Sequence, residues 1–210
     1  MIGAMKAQSI PTSYMQVWQP RIEEQFGKKE SRRIVAGIHH HYQKYLKDAP
    51  PVRSRALRSH LERSIFPLLA LYQSLLEAGF TREESLDACQ KLFFQTLEKQ
   101  RKQQEILGKL PFAYSLYRWL VKPFMQIGFP DEGFEVEWVE HSREQIAFNM
   151  RGCFYLNTLA QYGASELTPI FCNADDFIYK ASSPHIKWQR TQTLAKGGTH
   201  CDFRYIRQKP

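Results

Sequence analysis

Pro130-Asp131-Glu132-Gly133-Phe134-Glu135-Val136-Glu137-Trp138 is the stretch at which the chain changes its period. Before it, apolar residues recur every three or four positions, as on one face of a helix; after it, they alternate, as on one face of a strand. Phe134, Val136 and Trp138, with the opposing Ile146, Phe148 and Met150, read as a hairpin around Glu140-His141-Ser142-Arg143. Ile186 to Leu194 and Cys201 to Ile206 alternate again around Gly197-Gly198, giving a second hairpin. Between the hairpins lie a short helix from Phe154 to Tyr162, closed by Gly163, and another from Glu166 to Tyr179, interrupted near Pro169. The fold class is therefore α+β: a helical N-terminal half followed by a small antiparallel sheet of two β-hairpins separated by helices. The expected division is a helical region over residues 1–128 and a hairpin–helix–hairpin region over 129–210, together one compact domain.

Working back toward the N-terminus, Tyr14, Trp18, Ile22 and Phe26 recur at four-residue spacing and share a helix face. A second helical segment runs from about Ser31 to Leu46 and stops at Asp48-Ala49-Pro50-Pro51. A third spans Arg55 to Glu77 with Pro67 inside it, which implies a kink or two helices meeting there. Thr81-Arg82-Glu83-Glu84 has the form of a capping box, and the helix it opens turns Leu86, Cys89, Leu92, Phe93, Thr96 and Leu97 inward. Cys89 is expected there as a small buried hydrophobe. Residues 106–129 are strongly aromatic and read as a core helix with a wet edge, since the basic face needed for lipid binding is thin. The same segment is a candidate surface for a homo-oligomer.

The chain has 210 residues, 43% of them hydrophobic, which is ample for one core with a helical annex. No apolar run approaches the ~20 residues of a membrane span, so stable membrane insertion is not expected. Met1 to Gln8 lacks the order of a signal peptide, and the expected location is the cytoplasm. The four cysteines are then reduced, and buried, catalytic or metal-binding rather than paired. The net charge of +8 is spread along the chain. Lys99-Gln100-Arg101-Lys102 reads as a solvated helix face, and no helix-turn-helix, RNA-recognition or zinc-finger signature accompanies it, so no nucleic-acid partner is expected. His39-His40-His41 is no metal clamp, because consecutive helical residues point about 100° apart.

Three cysteines lie in compact polar-aromatic blocks of the last third: Asn149-Met150-Arg151-Gly152-Cys153, Phe171-Cys172-Asn173-Ala174-Asp175-Asp176, and Gly197-Gly198-Thr199-His200-Cys201-Asp202-Phe203-Arg204. Together with Glu166-Leu167, the run from Arg190 to Gly198 and the upstream Leu61-Glu62-Arg63-Ser64-Ile65-Phe66-Pro67 and Ala70-Leu71-Tyr72, these blocks resemble the L-2-amino-thiazoline-4-carboxylic acid hydrolases over about residues 55–210. The Gly-Gly…Cys-Asp-Phe-Arg ending is the most specific piece. The resemblance implies ring-opening hydrolysis of a small anionic cyclic amidine to an N-carbamoyl amino acid, typified by conversion of the thiazoline to N-carbamoyl-cysteine.

Opening such a ring needs a nucleophile, a proton donor for the leaving heteroatom and a cation for the substrate carboxylate. Cys153 follows Arg151-Gly152 at a strand-to-helix turn, where the positive end of a helix dipole lowers a thiol pKa, so it is the candidate nucleophile. Cys172 and Asp175, three apart on a helix, share a face, and the carboxylate makes Cys172 the poorer thiolate. Asp175 is the candidate for positioning or deprotonating water. Cys201 shares a strand face with Phe203 and points inward toward Cys172; Asp202 and Arg204 share the other face and can pair with each other. His200 is a candidate general acid. Arg190 is the candidate anchor for a substrate carboxylate, through a bidentate contact, and Asp202 and Arg204 are further substrate-binding candidates. Two alternatives stay open. Three thiolates with Asp175 or His200 can hold zinc, although no cofactor is the first expectation. Alternatively, the helices and sheet enclose a pocket for a small ligand, as a non-catalytic binding or sensor domain with the cysteines as packing.

Overall fold

The computed structural model describes residues 9–180 and 183–208, so the reading of Met1 to Gln8 lies outside the described residues. Contacts divide the chain into two units, Met1–Arg53 with Arg58–Thr96, and Ser54–Leu57 with Leu97–Pro210.

The first unit is helical. Helix α1 (Thr12–Lys47) consists of two helical segments joined at Gly27, whose φ of 76° and ψ of 163° suit a residue without a Cβ. The two segments expected from the spacing are thus both present. Their inner face is Tyr14, Trp18 and Ile22, then Ile34, Ile38 and Tyr42. Buried Trp18 finds a home for its indole N–H, which donates to Leu92 O and Thr96 Oγ1, both at 3.0 Å.

Arg55–Glu77 is interrupted as Pro67 requires. Helix α2 (Arg55–His60) passes into a π-helical turn (Leu61–Ile65) and then helix α3 (Phe66–Glu77). Proline has no N–H to give the carbonyls behind it, either the one four residues back or the one five back. Those are Arg63 O and Glu62 O, and each is met by a tyrosine of α1. Tyr14 Oη donates to Arg63 O at 2.8 Å and Tyr42 Oη to Glu62 O at 2.9 Å. Helix α4 (Arg82–Gly108) opens with the expected capping box: Thr81 N–H donates to Glu84 Oε2 at 2.9 Å and Glu84 N–H to Thr81 Oγ1 at 3.2 Å. Cys89 is fully buried on its inner face.

The second unit holds the end of α4, helix α5 (Ala113–Gly128), one helical turn α6 (Asp131–Phe134), strands β1 (Val136–His141) and β2 (Gln145–Met150), helices α7 (Phe154–Gln161) and α8 (Thr168–Tyr179), and strands β3 (Ile186–Gln189) and β4 (Cys201–Arg207). The two hairpins merge into one antiparallel sheet of order β1-β2-β4-β3. The fold class is α+β, as the change of period indicated. Phe148 opposite Phe203, and Tyr205 opposite both Ile146 and Trp188, make one face of the sheet aromatic. Asn149 opposite both Glu137 and Asp202, and Arg204 opposite Gln189, make the other face polar.

The expectation for residues 106–129 needs correction. Tyr114, Val121 and Met125 are buried, but the outer side of α5 is apolar rather than wet, with Trp119 75% and Ile127 78% exposed. Among the described residues, no helix is long and apolar enough to cross a membrane.

Candidate active site

The β2–β4 register places Met150 opposite Cys201 and so brings the exit of one strand beside the entry of the other. Past β2 the chain is held by Arg151 N–H to Glu135 O and Gly152 N–H to Phe134 O, both 3.1 Å. It then reaches Cys153 in an extended conformation, the N-cap of α7. The Cys153 Sγ accepts from Leu156 N–H at 3.4 Å, as an N-cap oxygen would.

At the entry of β4, Cys201 Sγ accepts from Leu194 N–H at 3.3 Å. The loop between β3 and β4 is tight. Gly197 has φ 82°, and a Cβ on Gly198 would stand 2.8 Å from Gln192 Oε1 and 2.9 Å from Thr193 O. That is the physical content of the Gly-Gly pair. The strand expected up to Leu194 ends at Gln189 instead, because Asp202 replaces the missing ladder: its carboxylate accepts from Thr191 N–H at 2.9 Å, Gln192 N–H at 2.7 Å and Thr191 Oγ1 at 2.8 Å. Burial raises the Asp202 carboxyl, but these donors outweigh it and hold the group below the ordinary carboxylate range.

The loop so fixed delivers Arg190. Its side chain is 4% exposed, with Nη1 donating to Asp175 Oδ2 at 2.9 Å and Nη2 donating to Cys172 O at 2.6 Å and lying 3.1 Å from Asp176 Oδ1. The guanidinium also lies over the rings of Trp188 and Phe203, 5.7 and 5.5 Å from their centroids. Trp188 Nε1 donates to Asp176 Oδ1 at 2.9 Å, which completes the frame.

Cys153, Cys172 and Cys201 come together around this frame, each acting electrostatically on another and all three feeling Asp175. Cys201 and Cys172 are both buried, and the charge of Cys201 bears on Cys172. The expected lowering of the Cys153 thiol is overturned: burial pushes it up, and the Leu156 N–H offsets only part of that. Burial likewise raises Cys201, and pushes Cys172 up to about 11 against the pull of Arg190. A buried thiol has lost more hydration than one helix turn restores. Of the three, Cys153 is the most accessible; Cys172 and Cys201 are buried.

Burial also dominates at Asp175, pushing its carboxyl up to about 6 against Arg190. Its side chain nevertheless keeps 38% of its surface open. The carboxylate is thus the part of this frame that solvent reaches, beside a guanidinium that it does not.

The remaining candidates have other partners. His200 sits with Thr199 Oγ1, 3.0 Å from Nδ1, and Gln192 Nε2, 3.4 Å from Nε2, and its charge acts on Glu137. Asp202 and Arg204 do not pair. Arg204 donates instead to Phe148 O, Phe203 O and Asn149 Oδ1, at 2.9, 3.0 and 2.9 Å, on the polar face where Arg151 and Glu137 also pair at 2.7 Å. For zinc, no group of three or more His, Cys, Asp or Glu among the described residues is arranged to hold a metal ion.

Sequence reasoning missed Asp176 and Trp188 as members of the site. The signal was available: Asp176 adjoins Asp175, and Trp188 and Arg190 are two apart in a run that alternates as a strand does, hence on one side.

The family model for L-2-amino-thiazoline-4-carboxylic acid hydrolase matches residues 58–205, and the chain belongs to this family. The matched span includes the three cysteines, Asp175 and Arg190. No curated protein matches the chain significantly.

Proposed function

We propose that this protein is a hydrolase that opens a small carboxylate-bearing cyclic amidine, such as L-2-amino-thiazoline-4-carboxylate, to an N-carbamoyl amino acid, with Cys153 as nucleophile and Asp175 as proton carrier. The observation that carries the reading is the part-exposed Asp175, pinned by Arg190 beside three thiols and pushed up to about 6. A base is most effective when its pKa lies near the working pH, and perturbed carboxyls collect at sites of chemistry.

In this scheme the Cys153 thiol gives its proton to Asp175 as sulfur adds to the amidine carbon. The ring carbon–sulfur bond breaks, and the departing sulfur takes the proton back from Asp175. The product is an isothiourea joined to Cys153. Water then adds to the same carbon, Asp175 again carrying its proton, and Cys153 leaves as a thiol to give the urea of the N-carbamoyl product. Activation at the moment of transfer suits a thiol that burial keeps neutral at rest. Arg190 acts as a positioning residue in this reading, since its side chain is 4% exposed and its Nη atoms are engaged with Asp175, Asp176 and the Cys172 carbonyl. Asp202 positions Arg190 through the 191–192 backbone.

The test is turnover of L-2-amino-thiazoline-4-carboxylate by the purified chain and by Cys153→Ser. Release of N-carbamoyl-cysteine by the parent and its loss in the folded variant is expected. Unchanged turnover in the variant removes Cys153 from the chemistry. Absence of turnover in the parent on this and related cyclic amidines favours the alternative of a ligand-binding domain, to which the burial of Cys172 and Cys201 also points.

A further inference from the structure

In the second unit, α5 and the end of α4 close over the aromatic face of the sheet around a half-open cavity of about 400 Å³. Its walls include Leu116, Leu120 and Val121, and its floor is Phe148, Tyr179 and Tyr205. Among the described residues, no charged side chain lines it. Tyr117 Oη donates to Gln104 Oε1 at 2.5 Å, so that pair at the wall is satisfied. Tyr205 is different. It is 7% exposed, and among the described residues its hydroxyl makes no hydrogen bond. Unlike the hydroxyls of Ser85, Thr168 and Thr193 it is not sealed off without a partner, so a ligand acceptor placed there would take the place of water on it.

We infer that this cavity is a binding site for a neutral, largely apolar small molecule carrying one hydrogen-bond acceptor, such as an ester or ketone carbonyl, that receives the Tyr205 hydroxyl. The volume is within the roughly 300–1,000 Å³ of small-molecule pockets, and the lining has their character of apolar walls with one directed polar group. The charge of the ligand follows from the walls. A carboxylate inside would be stripped of water with no cation to receive it. Burial first, and the charge of Asp175 after it, raises the Tyr179 and Tyr205 hydroxyls and keeps them protonated as donors. The site is thus opposite in character to the charged thiol cluster and independent of the reaction proposed there.

The experiment titrates the full chain with N-phenyl-1-naphthylamine, a neutral fluorophore that brightens in apolar surroundings, and displaces it with methyl octanoate or with octanoate at neutral pH. Saturable binding is expected, with the ester displacing at concentrations at least about tenfold lower than the carboxylate, the direction set by desolvation of the charge. Tyr205→Phe weakens the ester about fivefold, the loss of one hydrogen bond, and leaves the fluorophore within about twofold. Leu116→Trp, which fills the cavity, abolishes both while the circular dichroism spectrum and melting temperature hold. The inference is overturned if binding is not saturable or if octanoate displaces as well as its ester. It is equally overturned if Trp119→Ser, on the exposed outer side of α5, removes fluorophore binding while Leu116→Trp retains it.

Discussion

Arg190 Nη1 and Asp175 Oδ2 lie 2.9 Å apart across a gradient of exposure: the arginine side chain is 4% exposed and the aspartate 38%. The cation is therefore fixed from inside, by Cys172 O, Asp176 and two aromatic faces, while the anion is presented outward. A pair arranged this way is poorly suited to receiving a substrate carboxylate on the arginine, and well suited to holding the aspartate in one geometry. Replacing Arg190 with Met leaves two adjacent carboxylates without their cation. A loss of about 2–3 kcal/mol is expected, below the range for a fully buried pair because the aspartate is part-solvated; urea denaturation measures it.

Asp175 gives a pH signature. Its folded pKa of about 6 lies above its unfolded value of 3.8, so between those values the folded chain binds more protons than the unfolded one. Its contribution to stability therefore falls as pH rises from about 4 to about 6, and Asp175→Asn removes that slope. If Asp175 carries the proton, kcat/KM falls below about pH 6, and Asp175→Asn lowers it by about 10²-fold or more at neutral pH. A pH–rate profile flat down to pH 5 would remove Asp175 from the reaction.

Asp202 has the opposite sign. Its folded pKa is lowered, so the stability it contributes is present above the unfolded carboxylate pKa and is lost as pH falls through the folded one. Asp202→Ala strands the Thr191 and Gln192 N–H groups and is expected to cost about 1–3 kcal/mol. Because these residues follow Arg190 directly, turnover falls as well, with KM changed less than kcat.

Cys153→Ser separates packing from chemistry. Serine is a better N-cap than cysteine, so Leu156 N–H keeps an acceptor and thermal stability is expected to hold or rise. Iodoacetamide labelling followed by peptide mass spectrometry should find Cys153 modified before Cys172, Cys201 and Cys89, and more slowly than a free thiol at neutral pH, since burial raises it. Faster labelling of Cys172 or Cys201 would contradict the exposures described.

In the helical unit, Tyr14→Phe leaves Arg63 O short of a partner and is expected to cost about 1 kcal/mol. In a Pro67→Ala background the new N–H can serve that carbonyl along the helix, so the cost of Tyr14→Phe shrinks. A double-mutant cycle with no coupling between positions 14 and 67 would refute the compensation.

Much of this molecule was legible along the chain. The alternation of Val136 and Trp138 against Ile146, Phe148 and Met150 gave a hairpin because strand side chains repeat every two residues whatever they meet, although Phe134, read with them, closes the helical turn α6 instead. Thr81 and Glu84 gave a helix start because a capping box closes within four residues. Pro67 gave an interruption because proline lacks an N–H. The early end of β3 was not legible, because it depends on Asp202, which is eleven residues from Thr191. The apolar outer side of α5 was missed for a related reason: periodicity marks an apolar face but does not say whether anything covers it.

By itself, then, the sequence determined the local periods, the caps and breaks, the α+β class and the blocks that carry the family likeness, all of which rest on interactions within a few residues. Only the tertiary structure decided that Cys153, Cys172 and Cys201 all come under the charge of Asp175 and that Arg190 is fixed from inside against it. It alone decided that burial outweighs the helix terminus at Cys153. Helix dipoles and capping bonds act within a turn and can be read locally, whereas desolvation is a sum over every atom that excludes water from a group, and those atoms come from strands and helices far apart along the chain.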